Sequence, residues 1–428
     1  MLRFCYTLLS YFLQPFILLL MVKRSLKQPA YKKRLSERYA CYGQSPQPQP
    51  HGIVIHAASV GEVIAITPLV KAMQQQYPGL PITFTTITPT GSERVKAAFG
   101  TSVSHFYLPY DLPDAIGRFL NFVQPKAFIV VETELWPNLI QATHKRGIPF
   151  IIANARLSPR SAQRYGWIKP ALKKMFSSIE LIMAQDKVSA DRYLQLGFNP
   201  AHLVNTGNLK FDLKVSPEHR QGIIATREQL QLAHRLVWIA GSTHEGEEKL
   251  ILDAHQALLK TYPDLVLILV PRHPERFEAV AELIEKSPLT FVRRSSGQAL
   301  ASSHQVLLGD TMGEMMLLYG LSQMAFVGGS LVKHGGHNPL EPIAFEIPVI
   351  SGIHTYNFPE IFVKLREVNG VIEIESQAQA LVQAVDFLLK SPNQAEKVAQ
   401  AGFEVLKENQ GALERHLQLL TPYLENKS

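Results

Sequence analysis

Acidic side chains in this chain stand where short apolar runs give way to turns of small residues. The first such place is His56-Ala-Ala-Ser-Val-Gly-Glu-Val63. Ser59 and Gly61 leave room for a ligand to approach the backbone, and Glu62 opens a stretch of helical periodicity. Glu62 could act as a general base at a strand's carboxyl edge. Its plainer role would be a first-turn acid that favours the helix N-terminus by about 0.3–1 kcal/mol. In the first role, the helix end beneath it is expected to keep the carboxylate ionised, as a base must be.

The second place is Val131-Glu-Thr-Glu-Leu-Trp-Pro-Asn138. Strand alternation sends Glu132 and Glu134 to the same side. One of them could cap the next helix, whose start Pro137 suits. Two carboxylates buried in a cleft would be costly without partners, so at least one is expected to serve a ligand.

The second half of the chain holds four more turns of this kind. In Gly241-Ser-Thr-His-Glu-Gly246, Ser242 and Thr243 lead into a helix whose N–H groups could meet an anion. The lysine and spacing of a P-loop are missing. Val270-Pro-Arg-His-Pro-Glu-Arg276 carries Arg272, which could grip a phosphate with two hydrogen bonds or simply be solvated. Gly309-Asp-Thr-Met-Gly-Glu-Met315 is a third turn into a helix. The last, from Val327 to Pro342, has four glycines that let backbone crowd a ligand. There Glu341 could accept hydrogen bonds from a ribose diol, each worth roughly 1.5–3 kcal/mol. His334 and His337 have no cysteine or paired acid at metal spacing, so no metal is expected. Gly328-Gly-Ser330 is not a nucleophile elbow, because Val332 occupies the place of the second glycine.

The elements that must position these turns are legible as apolar runs. Strands are expected at 53–56, 82–86, 128–131, 150–153 and 181–184, with helical segments such as 62–76 and 114–122 between them. After a polar stretch at 207–217, strands are expected again at 236–240, 265–270, 306–308, 324–327 and 348–350, with helices at 247–260 and 274–285. Buried strands alternating with helices imply parallel sheets covered on both faces. We therefore expect an α/β chain with two doubly wound domains, residues 51–210 and 211–428, and ligands in the cleft between them.

The N-terminus is different. Phe4–Val22 is 19 residues long without a formal charge, and about 20 helical residues span a bilayer core. Pro15 would kink the helix without forbidding insertion. Residues 1–22 are thus expected to be a membrane helix, or one inserted in a single leaflet, and 23–50 a basic juxtamembrane segment with a proline-rich spacer. The formal charge of +7 belongs to residues 1–38, which hold eight basic side chains and one acid, so the rest is neutral. That distribution argues for a membrane surface and against nucleic acid. Basic residues after the apolar run place the following domains in the cytoplasm. Two cysteines, Cys5 and Cys41, supply neither a disulfide framework nor a cysteine zinc site.

Taken together, these turns resemble the 3-deoxy-D-manno-octulosonic acid (Kdo) transferases of lipopolysaccharide assembly. The resemblance covers nearly the whole chain. It rests on the N-terminal helix, Ala58-Ser-Val-Gly-Glu62, Glu132-Thr-Glu-Leu-Trp-Pro-Asn138, Asn154-Ala-Arg-Leu-Ser158, Gly207-Asn-Leu-Lys-Phe-Asp212, Pro271-Arg-His-Pro-Glu-Arg276, Met312-Gly-Glu-Met315 and Asn338-Pro-Leu-Glu-Pro342. It implies a GT-B fold, with CMP-Kdo bound by the second domain and a lipid A precursor (lipid IVA) by the first. It also implies inversion at the anomeric carbon without a metal or other cofactor, at the cytoplasmic face of a bacterial inner membrane. Glu62 matches the family's proton acceptor, and Glu132 and Lys210 match positions assigned to transition-state stabilisation. Pro271, Arg272, Met312, Gly313, Glu314, Asn338, Pro339, Leu340 and Glu341 match the loops that hold CMP. Two other readings keep some of these features. A different two-domain transferase or epimerase would bind another nucleotide, and a membrane-tethered binding protein would have no use for the acids.

Overall fold

Runs of Ile, Val, Phe and Ala bounded by polar turns form fourteen strands among the described residues. The computed structural model describes residues 2–43 and 45–425. The chain divides into two units, Met1–Asp212 with Gln410–Ser428, and Leu213–Asn409.

The first unit carries β1 (Ile53–His56), β2 (Ile82–Thr86), β3 (Ser104–Tyr107), β4 (Ala127–Val131), β5 (Phe150–Ala155), β6 (Leu181–Ala184) and β7 (Leu203–Asn205). All pair in parallel, in the order β3-β2-β1-β4-β5-β6-β7. Helices cover both faces, so β1 and β4 are buried at every position. Alternation divides β1 between two cores: Ile53 and Ile55 face Val63 and Ile66, while Val54 faces Phe119 and Phe128. The chain winds outward from β1 to β3, then restarts at β4. The switch point therefore lies outside the carboxyl ends of β1 and β4.

The second unit repeats the plan with β8 (Val237–Thr243), β9 (Val266–Pro271), β10 (Phe291–Arg293), β11 (Val306–Leu308), β12 (Met324–Val327), β13 (Val349–Gly352) and β14 (Ile372–Ile374). Their order is β10-β11-β9-β8-β12-β13-β14, again parallel throughout. Here the switch point falls between β8 and β12.

The structure corrects three expectations. The segment 211–428 is not one domain, because the last helix, Ala412–Leu424, belongs to the first unit. Its Ala412, Leu420 and Leu424 join the core of Ile53, Val63 and Phe84. Asp212 fixes its start, accepting the N–H groups of Gly411 and Leu413, both at 2.6 Å.

The single helix expected over 1–22 is two, Leu2–Phe12 and Gln14–Lys27. Pro15 cannot donate a backbone hydrogen bond within a helix but is tolerated in a first turn. It stands there in the second helix, and the pair is bent by 49°. No single helix among the described residues is long and apolar enough to cross a membrane, although the bent pair passes together by length and composition. The first helix also bonds to the first unit, Thr7 donating to Asn138 Oδ1 at 3.1 Å.

Third, residues 28–50 are not a free basic spacer. Arg38 is 1% exposed, donates to Ile87 O and lies over the Tyr107 ring. Glu37 is buried, paired with Arg34, and accepts the Tyr107 N–H at 3.0 Å. Pro48 is buried as well. Of the eight N-terminal cations, Arg38 is therefore an internal part of the first unit and Arg34 is half-buried against it.

Candidate active site and donor loops

Two acids meet at the switch point of the first unit. The helix Val60–Gln76 begins directly after β1 with a reciprocal cap: Ser59 Oγ accepts the Glu62 N–H, and Glu62 Oε1 accepts the Ser59 hydroxyl at 2.9 Å. Glu62 Oε2 accepts the Ala58 N–H at 2.7 Å. The capping role is real, and it does not exhaust the carboxylate, since each oxygen keeps a second lone pair. Gly61 is exposed, with only Ser59 Oγ near the place a side chain would take.

The helix end was expected to keep Glu62 ionised. Instead burial, then the neighbouring Glu132 carboxylate, push Glu62 up to about 7, with Glu134 adding to the repulsion. Desolvation and like charge outweigh the bonds from Ala58 and Ser59. That value suits a group that must accept a proton near neutral pH.

Glu132 follows β4 with φ of +63°, a left-handed conformation that costs a non-glycine residue energy and gathers at functional sites. The strand ends at Val131, so strand alternation does not govern Glu132 and Glu134. Both nonetheless act on Glu62, and the chain bends at Glu132 and Thr133 directly after β4. Burial raises Glu134. Lys210 Nζ lies 3.3 Å from Glu132 Oε1, with both side chains largely buried.

Lys210 sits in the short turn Leu209–Phe211, where Asn208 Oδ1 accepts the Lys210 N–H at 3.0 Å. Asn154, at the end of β5 and itself at φ +50°, accepts the Leu209 N–H at 3.0 Å. Its own N–H donates to His416 Nε2 at 3.1 Å, and His416 Nδ1 bonds Ala412 O at 2.7 Å. Burial lowers His416 to about 4, so its ring is neutral and Nε2 can accept. The last helix thus reaches the Lys210 turn through Asn154. Sequence reasoning quoted the Asn154 motif without giving it a role and missed His416. The one signal was an Asn after an apolar strand, a residue type that tolerates positive φ.

In the second unit, loops from β8, β9 and β12 converge at the switch point. Gly328 N–H bonds Gly241 O, and Arg272 N–H bonds Thr243 O. A Cβ at Gly328 would lie 2.5 Å from Ser242 O, so only glycine allows this approach. Arg272 lies near Tyr319, whose buried phenol also feels Glu341. Pro271 ends β9, and Pro339 and Leu340 are buried.

Other expected contacts are already taken. Ser242 and Thr243 are buried, and the Thr243 hydroxyl bonds Glu248. The His244 N–H goes to Glu247 rather than outward. Glu314 is paired with Arg294 at 2.8 Å and accepts the Thr311 hydroxyl. Its turn offers instead the exposed Met312 and the backbone of Gly313, at φ +86°. Asn338 Oδ1 accepts the Leu340 N–H. No group of three or more His, Cys, Asp and Glu among the described residues is placed to hold a metal ion.

Two doubly wound parallel sheets of seven strands, each with its polar loops at the switch point, define a glycosyltransferase of the GT-B fold. Residues 237–405 match the family model "Glycosyl transferases group 1", and residues 33–213 match "3-Deoxy-D-manno-octulosonic-acid transferase (kdotransferase)". The chain is 59% identical over 423 residues to the 3-deoxy-D-manno-octulosonic acid transferase of Haemophilus influenzae, covering 99% of each. It is 34% identical to the Bordetella pertussis enzyme of the same name, over 89% of each. Among solved structures, UDP-GlcNAc 2-epimerase from Neisseria meningitidis shares the fold at 16% identity, over 86% of this chain and 100% of that one, with a TM-score of 0.57. The chain belongs to the Kdo transferase family, and its reaction is Kdo transfer in lipopolysaccharide assembly.

Proposed function

We propose that Glu62 is the base of an inverting transfer, in which a hydroxyl of a lipid A precursor (lipid IVA) attacks the anomeric carbon of Kdo carried by CMP. The observation that carries this reading is the Glu62 carboxylate at the switch point, raised to about 7 by burial and Glu132. The acceptor oxygen bonds the sugar as its proton passes to Glu62. The sugar's bond to the phosphate oxygen breaks, and the electron pair leaves with CMP. Positive charge developing on the ring favours the Glu132 carboxylate, which Lys210 holds in place. Lys210 is also a partner for the sugar's own carboxylate.

The first unit receives the acceptor in this scheme. CMP belongs to the second unit, on Pro271, Arg272, Met312, Gly313, Glu314, Asn338, Pro339, Leu340 and Glu341. The Arg272 guanidinium meets the phosphate, so the leaving group needs no metal.

We further assign the enzyme to the cytoplasmic face of a bacterial inner membrane, held by its two N-terminal helices. Exposed Phe4, Leu8, Phe12, Phe16 and Leu19, flanked by exposed Arg3, Lys23 and Arg24, support an amphipathic insertion.

The test is product analysis with CMP-Kdo and lipid IVA. Wild type is expected to add Kdo, and Glu62→Gln is expected to bind CMP yet add almost none. Near-wild-type transfer by that variant would remove Glu62 as the base. A thermal shift with CMP that exceeds those with UMP and AMP supports the donor assignment, and equal shifts contradict it.

A further inference from the structure

Four histidines crowd the switch point of the second unit, and nothing in the scheme above uses them. His244 follows β8, and His334 and His337 lie in the glycine-rich loop after β12. The His244 ring stacks on His334 at 4.2 Å and on His337 at 5.0 Å, and His273 stands edge-on at 5.4 Å. His244 Nε2 and His337 Nε2 are 2.8 Å apart. At that distance one hydrogen lies between two nitrogens in the neutral pair. One added proton gives the pair a single positive charge, and charging both rings would set two like charges in contact.

The pair is built in. A Cβ on Gly329 would lie 3.1 Å from His337 Cδ2 and 3.4 Å from His244 Cδ2, and Gly329 has φ of +71°. Glu247 fixes the same loop, its carboxylate accepting the N–H groups of His244, Gly329, Ser330 and Leu331 at 2.7–3.1 Å.

The charges around the rings are one-sided. Arg272, His273 and Arg276 come from the loop after β9, and His334 from the loop after β12. The nearby carboxylates are occupied. Glu247 is filled by four backbone donors, Glu248 by Thr243 and Arg276, and exposed Glu245 by Arg276 at 3.4 Å. Glu341, in the segment after β12, acts on Tyr319, as Arg272 does. Burial first, and then His334, His273, Arg272 and Arg276, hold His244 down at about 4. Burial, then Arg272 and the other rings, hold His337 at about 3. Without a ligand the pair is neutral at neutral pH, and no carboxylate is paired with either ring among the described hydrogen bonds and ion pairs.

An anion docked beside Arg272 reverses that field. We propose that the His244–His337 pair takes up one proton from solvent when a nucleoside monophosphate dianion binds beside Arg272. This deepens the donor-site assignment and rests on it. The consequence for the reaction follows from charge. The donor's phosphate is a diester with one negative charge, and breaking the sugar–phosphate bond adds a second. A proton on the pair matches the second charge and therefore favours the cleaved state over the donor.

The experiment is calorimetric titration of CMP into the full chain at pH 8, where the monophosphate is a dianion, in buffers of different ionisation enthalpy. Wild type is expected to take up protons as CMP binds, and cytidine is expected to cause no uptake. His337→Asn and His244→Gln are expected to abolish uptake while retaining binding, their folding checked by circular dichroism. Arg272→Ala is expected to lose about tenfold to a hundredfold in affinity and to keep uptake at saturation. CMP binding to wild type without proton uptake, or uptake unchanged in both histidine variants, overturns the proposal and leaves the donor assignment standing. Absence of CMP binding to wild type removes the donor assignment itself.

Discussion

Lys210 Nζ lies 3.3 Å from Glu132 Oε1, while Glu62, which faces the same cluster, has no cation paired with it among the described hydrogen bonds and ion pairs. One acid is neutralised by an ammonium and the other is pushed up to about 7 by burial and by its neighbour. An acid held by an ion pair beside one that can accept a proton gives a single site two carboxylates with different roles.

The first prediction joins pH to that separation. A base works only when deprotonated, so kcat/KM is expected to fall about tenfold per pH unit below about 7, with the acid limb set by Glu62. Glu62→Gln is expected to lower kcat by ~10²–10⁴ and to remove the limb from whatever activity remains. A limb near 4.5 in the wild type would mean that burial does not act on the base as described.

Stability should carry the same signature with a definite sign. A carboxyl raised from its ordinary 4.5 to about 7 binds its proton more tightly folded than unfolded. Its contribution is full below pH 4.5 and is lost as pH rises through 7. Glu62→Gln removes that loss. Its Tm is expected to exceed the wild type's at pH 8, with the gap closing towards pH 4. A variant equally destabilised at both pH values would show that the cap, not the buried charge, dominates.

Lys210 should act through Glu132. In Lys210→Met, Glu132 loses its ion pair and repels Glu62 more strongly. The acid limb is expected to move above 7, with kcat down by about 10²-fold. Lys210→Arg should restore part of both. An unmoved limb in the Met variant would separate Lys210 from the acids.

The chain's return to its first unit gives a prediction independent of chemistry. Ending the chain after Asn409 removes Ala412, Leu420 and Leu424 from the first core, and the last two are worth roughly 1.5–3 kcal/mol each. It also leaves Asn154 without His416. Against a typical total of about 5–15 kcal/mol, the first unit is expected to become protease-sensitive while 213–409 resists. Uniform resistance of both units would make the last helix dispensable.

The central strands were legible and the edges were not. Each of the ten strands read from the sequence is present, with ends shifted by no more than three residues. The four missed, β3, β7, β10 and β14, are the edge strands of the two sheets. They are three or four residues long, and their partly exposed positions carry Ser104, Asn205, Arg293 and Glu373. One covered side is enough for an edge strand, so no apolar run marks it. The same logic separates the site residues. Glu62, Glu132 and Lys210 stand in motifs and could be found. His416 acts from a helix more than 200 residues away from Asn154 and looks like any core histidine. The charge map misled for a related reason: Arg34 and Arg38 counted as surface cations until Glu37 and Tyr107 were seen to enclose them.

The membrane prediction follows from that correction. Removing residues 1–42 would seem a clean way to release the protein, but it also deletes Glu37 and Arg38 from inside the first unit. The buried Tyr107 N–H would lose its acceptor, a cost of about 1–3 kcal/mol before packing is counted. The informative cut falls after Lys27, where the second helix ends. That truncation is expected to keep the wild-type Tm within a few degrees and to leave the membrane pellet. A second variant tests the face rather than the length. Replacing exposed Phe4, Leu8, Phe12 and Phe16 with Ser keeps Thr7 and Gln14 on the unit while removing apolar area worth about 25 cal/mol per Å² from contact with lipid. If insertion of this face holds the enzyme, the substituted protein becomes soluble at low salt. If instead the cations dominate, it stays bound at low salt and leaves at high salt. Retention of both variants on membranes at high salt would place the attachment elsewhere and end the assignment of these two helices as the membrane element.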